Sequence, residues 1–132
     1  MIGVDTNVLA RLFVDDDAKQ SAAARRFFLE RTIDDPAFVS AVVVAEFVWL
    51  LTSRYRYPQE TIHAALAALF SSANVVVERE DLLKSAVTIA GDRNADITDA
   101  IIAAVANDNA CLSVVTFDRE AAKRIPGMER LK

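Results

Sequence analysis

Five carboxylates stand at strand ends, at a helix start and inside an apolar helix, places where they could be gathered for chemistry. Asp5 follows the apolar start Met1-Ile2-Gly3-Val4, and Glu46 is the only charge between Ala41 and Leu51. Asp96 and Asp99 lie three apart just ahead of the apolar run Ala100 to Ala106, and Asp118 closes Ser113-Val114-Val115-Thr116-Phe117. No Lys or His stands beside any of them. Hard divalent ions such as Mg²⁺ or Mn²⁺ take oxygen ligands of this kind. One or two such ions activate water and stabilise the charge of an in-line phosphoryl displacement. Hydrolysis of a phosphodiester is the reaction that most needs that equipment.

Each acid also has a plainer reading. An Asp after a strand caps a turn or a helix, which covers Asp5 and Asp118. Asp96 as N-cap with Asp99 near the third helical position makes an arrangement like a capping box. Glu46 resists most, because a helix apolar on nearly every face is expected to be buried, and a buried carboxylate must be neutralised, paired or bound to metal. Its plain alternative is an ion pair with Arg11 or Arg54.

The elements that must position these acids follow from the pattern. Met1 to Val4 reads as a strand stopping near Asp5, with Asp5-Thr6-Asn7 as its handover to a helix cap. Ala18 to Arg31 carries Ala22, Ala23, Phe27 and Phe28 at helical spacing, and Asp15-Asp16-Asp17 before it suits a helix N-terminus. Asp34-Asp35-Pro36 is a turn, Ala37 to Ser40 a brief extended run, and Ala41 to Tyr55 a long apolar helix. Pro58 opens a helix with Ile62, Leu66, Leu69 and Phe70 as its buried stripe. Val75-Val76-Val77 is a short strand, and helices follow over about Glu80 to Arg93 and from Asp96, the latter carrying Ile97, Ile101, Ile102 and Val105. Ser113 to Phe117 is a further strand. Short strands separated by helices predict an α/β domain with a parallel sheet, since parallel neighbours need crossover connections.

With 132 residues, 53% hydrophobic and 26% charged, the chain has enough apolar surface to fold and is expected to be one domain, 1–132. No apolar stretch is longer than Ala100 to Ala106, far short of the roughly 18 residues of a membrane-spanning helix, so no membrane association is expected. A single cysteine, Cys111, excludes an intramolecular disulfide, and one histidine, His63, excludes a Cys/His zinc site. A reducing cytoplasm is the expected location. Cys111 is expected to be a packed thiol, His63 a partly exposed structural residue, and Trp49 and the phenylalanines core. The net charge of -4 speaks against a protein that simply coats nucleic acid. Carboxylates gathered around cations, however, would cancel that excess.

Asp5-Thr6-Asn7-Val8-Leu9, Glu46 inside a hydrophobic helix, Asp99 before Ala100-Ile101-Ile102-Ala103-Ala104, and Thr116-Phe117-Asp118 together resemble the PIN domain, in particular the toxin ribonucleases of the VapC type. The likeness runs over nearly the whole chain to Ile125-Pro126-Gly127. It implies a three-layer α/β/α domain with a central parallel sheet of about four or five strands. It also implies an endoribonuclease dependent on Mg²⁺ or Mn²⁺, with Asp5, Glu46, Asp99 and Asp118 as catalytic and metal-binding acids. Asp96 falls where many relatives carry a further acid, and Asn7 and Thr116 would position ligands or water at the edge of the pocket. Arg11 and Arg119, each within a helical turn or two of a proposed acid, are the arginines expected to meet RNA phosphates. The resemblance further implies a homodimer and a small antitoxin as partner.

Two other classes fit parts of the pattern. A phospho-accepting receiver domain carries an acidic pocket at the carboxyl end of its sheet, but it needs a Lys after a late strand. Here Asp118 is followed by Arg119-Glu120, with Lys123 the nearest lysine. A catalytically idle PIN-fold binding module is the other, yet no acid expected from the resemblance is missing.

Overall fold

The computed structural model describes residues 1–132 as two compact units, residues 1–80 and 81–132. The first is built as β1 (Ile2–Gly3), α1 (Thr6–Ala10), α2 (Ala18–Leu29), β2 (Ala37–Val39), α3 (Ala41–Trp49), a π-helical turn (Leu50–Arg54), α4 (Gln59–Ser71) and β3 (Val75–Val77). The second contains α5 (Glu80–Arg93) from its second residue on, α6 (Ile97–Asp108), β4 (Val114–Thr116), α7 (Arg119–Arg124) and β5 (Met128–Arg130). No helix is long and apolar enough to cross a membrane.

Every strand pairing is parallel, as the alternation of strands and helices predicts. In the first unit the order is β1-β2-β3, with Ile2 opposite Ala37 and Ala37 opposite Val75. Helices α1 and α2 make the first crossover, and α3 and α4 the second. Below them sits a core of Leu9, Val39, Val44, Phe47, Leu51, Ile62 and Leu66, all essentially inaccessible. Phe13 lies against Phe47 with ring centroids 5.2 Å apart. Of the stripe expected on α4, Ile62, Leu66 and Leu69 are buried, while Phe70, at the C-terminal end of the helix, is only half-buried.

The second unit pairs β4 with β5, setting Val114 opposite Met128 and Thr116 opposite Arg130. The return turn passes through Gly127 at φ +88°, a conformation that suits glycine. The Val114 N–H donates to the Gly127 carbonyl at 2.7 Å, and the Leu131 N–H to that of Thr116 at 2.8 Å. Leu83, Ala86, Ala90, Ile97, Ala100, Ala121 and Ile125 are buried.

Several expectations about burial fail, and helical geometry explains the most important. Glu46 is exposed rather than buried, and so is Trp49. Val42, Glu46 and Trp49 are spaced i, i+4, i+7 and form one outward face of α3, while Val44, Phe47 and Val48 face inward. Apolar composition all round hid an ordinary two-faced helix. Phe117 is 78% exposed rather than core, and Cys111 is exposed rather than packed. On α2 the buried positions are Ser21 and Ala24, with Phe27 and Phe28 half-buried and Ala22 and Ala23 exposed. His63 is half-buried, as expected.

Candidate active site

The acids of residues 81–132 are set by helix capping. Asp96 is the N-cap of α6, and its Oδ1 accepts from the Asp99 N–H at 2.9 Å, the capping arrangement the spacing predicts. Asp99 therefore lies in the first turn of α6, half-buried. Asp118 is the N-cap of α7, its Oδ1 accepting from the N–H groups of Glu120 at 2.9 Å and Ala121 at 3.1 Å. Thr116 belongs beside it, since its Oγ1 accepts from the Asp118 N–H at 3.1 Å.

Asp96, Asp99 and Asp118 line one pocket of about 260 Å³, together with Asn94, Ala95, Glu120, Ala121 and Arg124. Burial pushes the Asp99 carboxyl above its ordinary range, and the neighbouring charges of Asp96 and Asp118 push it further the same way. The pocket's guanidinium does not relieve this crowding. Arg124 donates to the Asn94 carbonyl at 2.7 Å and pairs with Glu120 at 2.8 Å. Caps alone would explain Asp96 and Asp118, whereas the half-buried, repelled carboxyl of Asp99 is not explained by capping.

The acids of residues 1–80 are arranged differently. Asp5 follows β1 as the N-cap of α1, exposed, with Oδ1 accepting from the Thr6 N–H at 2.8 Å. Asn7, in the first turn of α1 and also exposed, lines the same pocket as Asp5, a cleft of about 590 Å³ walled by Val4, Val8, Ala23, Ala24 and Phe27. Glu46 is not among the residues lining that cleft, although its helix α3 packs against α1. Neither expected cation is its partner. Arg11 is bonded to Asp16 and donates to Gln20 Oε1 at 2.7 Å, and the Arg54 guanidinium lies 5.7 Å from the Tyr55 ring centroid. Arg119 opens α7, exposed, directly after Asp118.

The donors suit a hard cation in kind: the charges of Asp96 and Asp118 act on Asp99 in the same sense, and the one guanidinium lining the pocket is bonded to Glu120 and the Asn94 carbonyl. No three Asp, Glu, His or Cys side chains are gathered closely enough to hold an ion as they stand. Mg²⁺ does not require that, because it keeps several waters and takes as few as one or two protein carboxylates. Asp96, Asp99 and Asp118 line the pocket with carboxylates of that type. Glu120 and Arg124 were not singled out from the sequence. Their i, i+4 spacing of opposite charges was the available signal.

The model of the PIN domain family matches this chain over residues 2–127. No curated protein matches the sequence. Among solved structures, the chain is similar to Mycobacterium tuberculosis VapC20, described as a sarcin-ricin loop cleaving toxin. The identity is 26% and the TM-score 0.47, over 93% of this chain and 94% of that one.

Proposed function

Because the chain belongs to the PIN domain family, matched over residues 2–127, we propose that it is a metal-dependent endoribonuclease that hydrolyses RNA phosphodiester bonds as the toxin of a toxin–antitoxin pair. The observation that carries this reading is the pocket shared by Asp96, Asp99 and Asp118, where burial and two like charges hold the Asp99 carboxyl above its ordinary range. Such crowding costs stability, and a bound cation turns the cost into a gain.

In this reading Asp99 and Asp118, with Asp96 beside them, hold Mg²⁺ or Mn²⁺. The bound cation supplies water activation and neutralises charge developing on the phosphodiester. Thr116 steadies Asp118 through the bond to its N–H. Asp5 and Glu46 are required for the same reaction, with Asn7 positioning ligands or water. Arg119 meets RNA phosphate, and Arg11 does so as far as its bonds to Asp16 and Gln20 allow. Residues 1–132 act as one domain, which the span of the family match supports. The protein is a homodimer in the cytoplasm, held inactive by a cognate antitoxin.

Purified protein incubated with RNA tests the enzymatic part. Cleavage is expected with Mg²⁺ or Mn²⁺, none in excess EDTA, and none from an Asp99→Asn preparation made in parallel, which controls for contaminating nuclease. Undiminished cleavage in EDTA by protein free of other nucleases overturns the metal dependence. The toxin role predicts growth arrest on induced expression, relieved by co-expressing an adjoining reading frame whose product is recovered with the chain in a pull-down.

A further inference from the structure

Ser53-Arg54-Tyr55-Arg56-Tyr57-Pro58 alternates arginine and tyrosine, and the acidic site makes no use of it. The backbone there is unusual twice over. The helix widens into a π turn over Leu50–Arg54, with the Tyr55 N–H donating to the Leu50 carbonyl, and Arg56 follows at φ +52°. The Tyr57 N–H then reaches back to the Leu51 carbonyl at 3.0 Å, which fixes the reversal. π turns gather at functional sites, and a non-glycine residue in the left-handed region is uncommon.

This backbone sets two rings side by side. Tyr55 and Tyr57 stack with centroids 6.2 Å apart and planes inclined by 21°, and the Arg54 guanidinium sits 5.7 Å from the Tyr55 centroid. The Tyr55 ring is held in place, because its hydroxyl donates to Asp16 Oδ2 at 2.9 Å and accepts from Arg11 at 3.4 Å. Arg11 pairs with Asp16, and the charge of Arg54 also favours that carboxylate; Arg54 and Arg56 are exposed and Tyr57 is half-exposed. On a chain of net charge -4, the stacked pair is flanked by three arginines, Arg11, Arg54 and Arg56, against the single carboxylate of Asp16 that the Tyr55 hydroxyl contacts.

We propose that Arg54, Tyr55, Arg56 and Tyr57 form a landing surface for single-stranded RNA, an unpaired base extending the tyrosine stack while the two guanidiniums grip flanking phosphates. The choice of RNA rests on the nuclease reading above; the stack and the charges do not. Bases in a duplex already stack on one another, so a protein ring pair has most to offer an unpaired base. An acidic peptide would use the arginines but not the aligned rings.

Fluorescence anisotropy of a labelled single-stranded RNA, titrated with the whole protein in EDTA so that nothing is cut, tests the proposal over a range of salt. The Arg54→Ala/Arg56→Ala variant is expected to bind at least about tenfold more weakly and to lose about 1.4 from the logarithmic salt slope, the share of two phosphates on a single strand. Tyr57→Ala is expected to lose about tenfold with its salt slope unchanged, and Tyr57→Phe to restore binding. Should Tyr57→Ala fail to fold by circular dichroism, the arginine variant decides alone. Wild-type binding by both variants, no RNA binding by the wild type, or equal affinity for a matched duplex overturns the proposal, the first leaving the patch to a protein partner. The two readings fail separately. Binding through this patch without cleavage in Mg²⁺ removes the nuclease and keeps the surface, whereas cleavage with unchanged KM in both variants removes the surface and keeps the nuclease.

Discussion

Asp16 and Asp99 are carboxylates of the same type in opposite circumstances. In residues 1–80, Asp16 accepts from the Tyr55 hydroxyl and pairs with Arg11, and these partners hold its carboxyl below the ordinary range. In residues 81–132, Asp99 is half-buried beside Asp96 and Asp118, and its carboxyl is held above that range. The first acid is neutralised by the protein's own cations and needs nothing further. The second has two like charges near it, and in the proposed reading an outside cation would compensate them. Two aspartates that both stand beside helix N-termini are thus shifted in opposite directions by their surroundings, which position along the chain does not reveal.

The largest expected effects lie on the Asp99 side of this comparison. Asp99→Asn should lower RNA cleavage by more than about a hundredfold, since even residues one step removed from a metal cost ten- to a hundredfold. Its melting temperature in EDTA should be unchanged or raised, because a like charge has been removed; a marked fall would mean that the carboxylate is structural. Glu46→Gln should likewise abolish cleavage while leaving the melting temperature of the metal-free protein in place, as an exposed side chain implies. Retained cleavage in that variant would remove Glu46 from the site.

Next come two caps of equal geometry and different surroundings. Asp17 caps α2 by accepting from the Gln20 N–H at 3.0 Å, and Asp17→Ala should cost about 1 kcal/mol in denaturant unfolding. Asp96→Ala removes the corresponding bond on α6 but also a charge that repels Asp99, so its cost should be smaller. Equal losses would show that the repulsion is not felt.

The smallest effect is in acid. Asp16, with its folded pKa lowered, contributes stability that is fully present above the ordinary carboxylate value of about 3.9 and is lost as pH falls through the lowered value. Asp99, with its folded pKa raised, binds its proton earlier in the native state, so stability is gained as pH falls through that raised value. In metal-free urea titrations Asp16→Asn should flatten the acid loss and Asp99→Asn should abolish the small gain that precedes it.

What the sequence alone made legible was largely what local chemistry decides. The capping of α6 by Asp96 was readable because side chain and backbone lie three residues apart, and the stripe on α4 because it has a helical period. Strand β5 was not readable: Met128-Glu129-Arg130 has no β-branched residue, and its place depends on pairing with β4. Composition around Glu46 points to burial, whereas its spacing from Val42 and Trp49 puts it on the outward face it occupies. The tyrosine stack was hidden for a different reason, since nothing in the letters announces a π turn or a left-handed arginine. The acids themselves were legible as residues, but which of them the fold leaves uncompensated depends on what Arg11 and Arg124 do, and those bonds are tertiary.

The central claim, that Asp99 is kept for a cation, is tested most directly by the melting temperatures of wild type and Asp99→Asn with and without Mg²⁺. Binding to the native state alone raises stability, so the wild type should gain with rising Mg²⁺ while the variant, starting as high or higher in EDTA, gains little. An equal rise in both proteins, or none in either at concentrations that support RNA cleavage, would contradict it.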